Sequence, residues 1–390
     1  MAEKKARRAR ATQNYSSQRA FDYHRLVIKL GTNLVTTGDG CLDLENMANL
    51  AGQVARLHQQ GLEITLVSSG AIAAGRDKLG LHKDRRDIPA RQVMAAVGQG
   101  RLMYTYEQLF AAHGITVAQA LLTKMDIADR AGYLNARNTL LGLLDLGVVP
   151  IINENDVVAI DEIKEAKFGD NDNLSAMVAN LVDADLLIIL SDVAGLYTAD
   201  PHLDAGASLI PRVERIDARV EQLAGGAANR RGTGGMMTKI EAAKLATSSG
   251  VSVVIAAGRL PEVICRLAQG ESIGTLFPSM TTRLESRQRW MVSGLASRGK
   301  IAVDAGAATA LKKRKGSLLP AGVKEVSGEF QRGDVVQIVD AEGNRIAYGI
   351  SNYGSAEIES IKGAHSEEIM SLLGYEFGAE VVHRNNLVVV

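Results

Sequence analysis

Two lysines stand out as able to do chemistry. Lys239 ends the glycine-rich run Gly232-Thr233-Gly234-Gly235-Met236-Met237-Thr238-Lys239, and Lys29 is the last but one residue of an otherwise apolar segment. Glycines let backbone N–H groups approach an anion closely, a following helix adds partial positive charge at its N-terminus, and a lysine supplies a mobile full charge. The run therefore suits phosphate. It is not a Walker A loop, in which the second glycine is followed directly by Lys and Ser/Thr. Taken alone, it also reads as a flexible surface turn. Lys29 is followed by Gly31-Thr32-Asn33, and an unpaired lysine there is costly to bury, so it either snorkels to solvent or meets an anion.

Three polar clusters accompany the lysines. Ser68-Ser69-Gly70 offers hydroxyls and a helix N-terminus suited to a carboxylate or phosphate, or simply a helix cap. Asn153-Glu154-Asn155-Asp156 and Gly169-Asp170-Asn171-Asp172-Asn173 are acidic-amide runs, the second just before a helix expected over 174–181. Asp172 or Asn173 would serve as its cap. Capping needs one such residue, so others are available to hold a substrate ammonium or orient hydrated Mg²⁺. The EF-hand spacing with its terminal Glu is missing, which discounts calcium. Two lysines, phosphate-suited loops and amide-carboxylate clusters together point to phosphoryl transfer. No His-Arg-Asp catalytic loop is present, which would hinder a hydroxyl acceptor. A carboxylate acceptor is already ionised at neutral pH and needs positioning and charge neutralisation rather than a general base.

Short β-rich runs alternating with helical stripes must position these groups. Strands are expected at 26–30, 64–67, 116–120, 148–152, 186–190 and 252–255. Helices are expected at 43–60, 89–113 and 133–146, ending at Gly61, Gly114 and Gly147, and Gly250 closes the helix that carries Lys239. This is an α/β pattern, a three-layer αβα sandwich with a mainly parallel sheet, and ligands of such sheets bind where strands end and loops lead into helices. Lys29-Leu30-Gly31, Ser68-Ser69-Gly70, Asn153 to Asp156 and Ser191-Asp192 all fall at such ends. Beyond about residue 276 the pattern changes to short strands and turns, as in a small β-barrel-like domain. The expected organisation is a disordered basic arm over 1–20, a first domain over 21–276, a linker over 277–289 and a β-rich domain over 290–390.

Composition narrows the class. The chain has 390 residues, 46% hydrophobic and 23% charged, with 44 basic against 44 acidic side chains, so overall charge does not point to nucleic acid or an anionic membrane. Cys41 and Cys265 lack metal-ligand spacing and suit a reducing cytosol, so a cytoplasmic location is expected. No apolar run approaches the roughly 20 residues that span a bilayer. The arm carrying Lys4, Lys5, Arg7, Arg8 and Arg10 lacks the apolar stretch of a secretory signal.

In order along the chain, Val27 to Thr32, Val67 to Gly75, Ile152 to Asp156, Gly169 to Ser175, Ser191 to Pro201 and Gly232 to Lys239 together resemble the amino acid kinase family. The tail, with Gly316 to Val323 and Phe330 to Asp334, resembles a PUA domain. The resemblance implies the amino acid kinase fold followed by a small PUA-like domain. It also implies ATP-dependent phosphorylation of the γ-carboxylate of L-glutamate to L-glutamyl 5-phosphate, the first step of proline biosynthesis, with feedback inhibition by proline. Carried over residue by residue, Lys29, Lys239 and Asp172 are catalytic, the lysines neutralising charge on the transferred phosphoryl and Asp172 orienting them. Ser69, Gly70, Asn153, Asp156, Asp170 and Asn171 bind or line the site of glutamate. Lys29, Ser191, Asp192, Thr233, Gly234, Gly235, Met236, Met237, Thr238 and Lys239 hold ATP. Mg²⁺ is expected through phosphate oxygens and water, with no dedicated metal ligand on the protein. Ala194 stands where many relatives of the family have an acidic residue, a departure that bears on local hydrogen bonding more than on activity.

The resemblance further implies a homodimer or homotetramer and a functional link to a downstream glutamyl phosphate reductase. RNA binding through the PUA-like tail is the remaining partner reading. Lys312, Lys313, Arg314 and Lys315 form one basic run, but from residue 281 onward basic and acidic side chains nearly balance, a poor footprint for RNA. Two rivals stay open: a relative acting on acetylglutamate, aspartate or another carboxylate, and an RNA-binding PUA protein whose kinase-like half is degenerate.

Overall fold

A computed structural model describes residues 23–81, 87–159, 171–201, 203–225, 235–282, 298–314 and 316–389. By packing, the chain divides into one unit of Met1–Leu121, Leu143–Thr247 and Val251–Pro278, and another of Leu122–Gly142, Ser248–Gly250 and Ser279–Val390.

The aliphatic runs of the first unit form strands β1 (Arg25–Leu30), β2 (Glu63–Ser68), β3 (Val117–Leu122), β4 (Val149–Glu154), β5 (Leu186–Ser191), β6 (Ser252–Ala257) and β7 (Thr275–Phe277). They lie in one sheet in the order β3-β4-β2-β1-β5-β6-β7. β2 pairs parallel with β1 and β4, β5 pairs parallel with β1 and β6, and β7 runs antiparallel to β6. Six strands appear where the apolar runs place them, shifted at their ends by a residue or two. β7 was not anticipated, because three residues show no period.

Helices fill the connections: α1 (Thr32–Val35), α2 (Leu44–Gln59), α3 (Ala71–Lys78), α4 (Ile88–Ala111), α5 (Lys124–Ala128), α6 (Arg130–Asp145), α7 (Asp172–Leu181), α8 (Ala218–Ala224), α9 (Met236–Ser248) and α10 (Val263–Ala268). Side chains alternate across a strand. Leu26, Ile28 and Leu30 of β1 therefore join Met47, Leu50, Leu102 and Tyr106 from α2 and α4 in one apolar core. Lys29 falls on the other face, where α7 packs against β1 and β5. One close approach fixes α3 against α4. A Cβ on Gly98 would lie 1.9 Å from the Ala71 carbonyl oxygen, and one on Gly75 would lie 1.8 Å from that of Met94. Only glycines let the two backbones meet there.

Among the described residues the second unit contains a five-stranded sheet, in keeping with the β-rich pattern of the sequence. Its strands are β8 (Gly299–Val303), β9 (Val323–Ser327), β10 (Val335–Val339), β11 (Arg345–Ile350) and β12 (Leu387–Val389), in the order β12-β11-β10-β8-β9. β8 and β10 are parallel and the other pairs antiparallel. Helices α11 (Ala305–Arg314), α12 (Ser355–Ile361) and α13 (Ile369–Leu373) accompany the sheet. Leu122–Gly142 belongs to this unit: Leu134 is buried with Val335, Tyr348, Ile350 and Val388. Arg137, 2% exposed, donates through Nε to Asn386 Oδ1 at 2.8 Å and through Nη2 to the Asn385 carbonyl at 2.8 Å. Arg130 pairs with Asp334 in the same unit. Burying a guanidinium is tolerable only when its donors are satisfied in this way.

Candidate active site

The site grows from the C-terminal edge of the parallel strands. β1 delivers Lys29, the first turn of α9 delivers Lys239, and the first residue of α7 is Asp172. All three are buried, at 2%, 4% and 0% exposure. Lys29 Nζ lies 2.7 Å from Asp172 Oδ1, and Lys239 Nζ lies 3.1 Å from Asp172 Oδ2. Thr238 Oγ1 donates to the same Oδ2 at 2.9 Å. One carboxylate thus holds two ammonium groups, leaving one net positive charge on the three side chains in a region that water screens poorly. Asp172 is therefore no simple cap. It sits inside the helix, and Asn171, at the N-cap position, makes no side-chain capping bond.

Beside the charged cluster runs a chain of amides. Asn171 Nδ2 donates to the Ser68 carbonyl at 2.9 Å, to Asn153 Oδ1 at 2.8 Å and more loosely to Ser69 Oγ at 3.4 Å. Asn153 Oδ1 also accepts the Glu154 backbone N–H at 2.9 Å, while Asn153 Nδ2 donates to Gln99 Oε1 at 2.9 Å. The turn after β2 uses Gly70 at φ 111, a left-handed conformation open to glycine, and starts α3 without a side-chain cap. The Ser68-Ser69 hydroxyls consequently have other work: Ser68 Oγ meets Tyr106 Oη at 2.7 Å. Burial pushes the Tyr106 phenol up to about 12, so it stays neutral.

A second group of loops faces the ends of β5 and β6. Ser191 is buried and its Oγ accepts the Val193 N–H at 3.2 Å. Asp192 is exposed and accepts from Asn33 Nδ2 at 3.0 Å. Arg259, just past β6, donates to the Asn33 carbonyl at 3.1 Å and to Asp43 Oδ2 at 2.9 Å. The Asn46 amide and then Arg259 hold the Asp43 carboxyl below its ordinary range. The loops that end β1, β5 and β6 are thereby tied to one another.

A model of the amino acid kinase family matches residues 24–257, and a PUA domain model matches residues 299–373. The chain belongs to the amino acid kinase family. Among curated relatives, a glutamate 5-kinase of Dehalococcoides mccartyi (strain CBDB1) is 59% identical over 368 residues, covering 94% of this chain and 99% of its own length. One of Herpetosiphon aurantiacus is 53% identical over 368 residues, covering 94% and 99%. Another, of Ralstonia pickettii (strain 12J), is 52% identical over 369 residues, covering 95% and 98%.

In this amino acid kinase the structure gathers Lys29, Lys239, Asp172, Thr238, Asn171, Asn153 and Ser69 through direct contacts. Asp156 is half-buried in the turn after β4, and Gly235, Met236 and Met237 are half-buried where α9 begins. Asp170, Thr233 and Gly234, also expected at the site, lie outside the described residues. Reading the sequence missed Gln99, Tyr106 and Arg259. Gln99 and Tyr106 are seven residues apart on α4 and so share a face, the one signal that could have paired them. Among the described residues no group of three or more His, Cys, Asp or Glu side chains could hold a metal ion, and no helix is long and apolar enough to cross a membrane.

Proposed function

We propose that this amino acid kinase transfers the γ-phosphoryl of ATP to the γ-carboxylate of L-glutamate, giving L-glutamyl 5-phosphate at the entry to proline biosynthesis. The observation that carries the reading is the buried Lys29–Asp172–Lys239 cluster adjoining the Asn171–Asn153 amides. Charge spreads over the phosphoryl oxygens as the bond to ADP breaks, and two ammonium groups held in place by Asp172 stabilise it without reorganising. The acceptor oxygen is already anionic, so no base is required. Asn171, Asn153, Asp156, Asp170, Ser69 and Gly70 position glutamate. Ser191, Asp192 and residues 233–239 hold the nucleotide, with Lys29 and Lys239 at its transferred group.

Mg²⁺ accompanies ATP, held by phosphate oxygens and water. Asp172, a buried carboxylate, is engaged by two lysines. Along the chain we assign residues 21–276 to the catalytic domain, with Leu122–Gly142 packing in the C-terminal unit, 277–289 to a linker and 290–390 to the PUA domain, whose near balance of charge favours a structural or regulatory task over RNA binding. The enzyme works in the cytoplasm as a homodimer or homotetramer, is inhibited by proline and passes its labile acyl phosphate to a reductase. Trapping the product with hydroxylamine tests the central claim: glutamate with ATP and Mg²⁺ yields a hydroxamate. If acetylglutamate or aspartate gives product and free glutamate does not, the reading is wrong. Glutamate saturation that proline does not alter removes the inhibition, and a monomer mass by light scattering removes the oligomer.

A further inference from the structure

Gln99 has no part in the reading above, yet the hydrogen bonds fix which way its amide points. The Ser68 carbonyl can only accept, so the Asn171 atom 2.9 Å from it is the NH₂ group. The Glu154 backbone N–H can only donate, so the Asn153 atom 2.9 Å from it is the oxygen. Both assignments agree with the 2.8 Å bond between the two asparagines. Asn153 therefore turns its NH₂ toward Gln99, and Gln99 must answer with Oε1, at 2.9 Å.

Two groups are left over. Gln99 Nε2 keeps two N–H donors, and Asn171 Oδ1 keeps its lone pairs, neither with a partner among the described residues. Gln99 is half-buried, and the glycine before it, Gly98, sits at the tight crossing of α3 and α4, which fixes its place beside the start of α3. A neutral donor and a neutral acceptor at the two ends of one rigid amide chain complement the carboxylate and ammonium of an α-amino acid.

We infer that Gln99 is a substrate-binding residue whose Nε2 amide donates to the α-carboxylate of the amino-acid acceptor. The inference rests on the glutamate reading. It assigns the α- rather than the γ-carboxylate because the γ-carboxylate must reach the lysines that hold Asp172, and Gln99 is the member of the amide chain with the most links between it and that residue.

Gln99→Glu tests this, because it keeps an oxygen for Asn153 and replaces the NH₂ donor with a negative charge. The glutamate KM should rise by about tenfold or more, with the ATP KM unchanged. Gln99→Met removes the donor without adding charge and should raise the glutamate KM by a smaller factor. 4-Aminobutyrate retains the reacting carboxylate and the amine but lacks the α-carboxylate, so its inhibition constant should be the same in Gln99→Met, which adds no charge beside the amine, and the parent enzyme. A parent-like glutamate KM in both variants overturns the inference and leaves Gln99 only orienting Asn153. An equal loss of affinity for glutamate and 4-aminobutyrate overturns the α-carboxylate assignment. Failure of the parent enzyme to phosphorylate glutamate is seen before any variant is made and overturns the glutamate reading and the inference together.

Discussion

Asn171 and Asp172 are neighbours at one helix terminus, differ by an amide for an acid, and serve opposite electrostatic settings. Asn171 enters a chain of neutral groups in which every partner is fixed as donor or acceptor. Asp172 enters a cluster of full charges in which one carboxylate restrains two ammonium groups. On the function proposed above, the difference separates two tasks. Recognising an amino acid calls for direction, which neutral amides supply at little desolvation cost, whereas receiving a phosphoryl group calls for charge, which must be held still before it is useful.

Breaking the charged half should have the largest effect. Asp172→Ala leaves two buried ammonium groups without their shared counter-ion, and should cost about 3–5 kcal/mol of stability along with most of the activity. Urea unfolding with the isosteric Asp172→Asn as companion measures it, and an unchanged midpoint for the alanine variant would contradict the cluster. Lys239→Ala should lower kcat by on the order of a hundredfold or more while moving the glutamate KM little. Steady-state kinetics decide this, and a near-normal kcat would remove Lys239 from the transfer step. On the neutral side the pattern should invert. Asn171→Ala should raise the glutamate KM by roughly tenfold with a smaller change in kcat, the signature of a group that binds ground state and transition state alike. A KM that stays put would place Asn171 outside the acceptor pocket. Tyr106→Phe lies behind Ser68 and should cost only about 1 kcal/mol, the net worth of its bond to Ser68. Because burial pushes that phenol up to about 12, the variant's pH–rate profile should overlay the parent's across the neutral range.

Much of this was legible in the chain itself, for reasons particular to the residues. A lysine at the end of an apolar strand is conspicuous because burial makes it expensive, so Lys29 stood out from its own residues, whereas Asp172 read as a helix cap and gained its role only from the family resemblance. The parallel strands were visible as continuous aliphatic runs, which is how strands buried on both faces read. Gln99 and Arg137 were not. A single polar residue on a long helix looks like an exposed one, and only packing shows that Arg137 is buried or that Gln99 meets Asn153. The placement of Leu122–Gly142 with the C-terminal sheet was equally hidden, since periodicity reveals which face of a helix is apolar but not what will cover it.

The central position of β1 has a consequence for how the protein is made. Its residues leave the ribosome early, yet one neighbour, β2, follows within a few dozen residues while the other, β5, begins only at Leu186. Helix α7, which carries Asp172, immediately precedes β5 in the sequence. Lys29 is thus enclosed only when its counter-ion arrives on the element just before the second neighbouring strand, near the middle of the chain. The nascent chain need never hold that ammonium group in a dry, half-built sheet, and the long-range pairing that slows folding also sets a safe order of events.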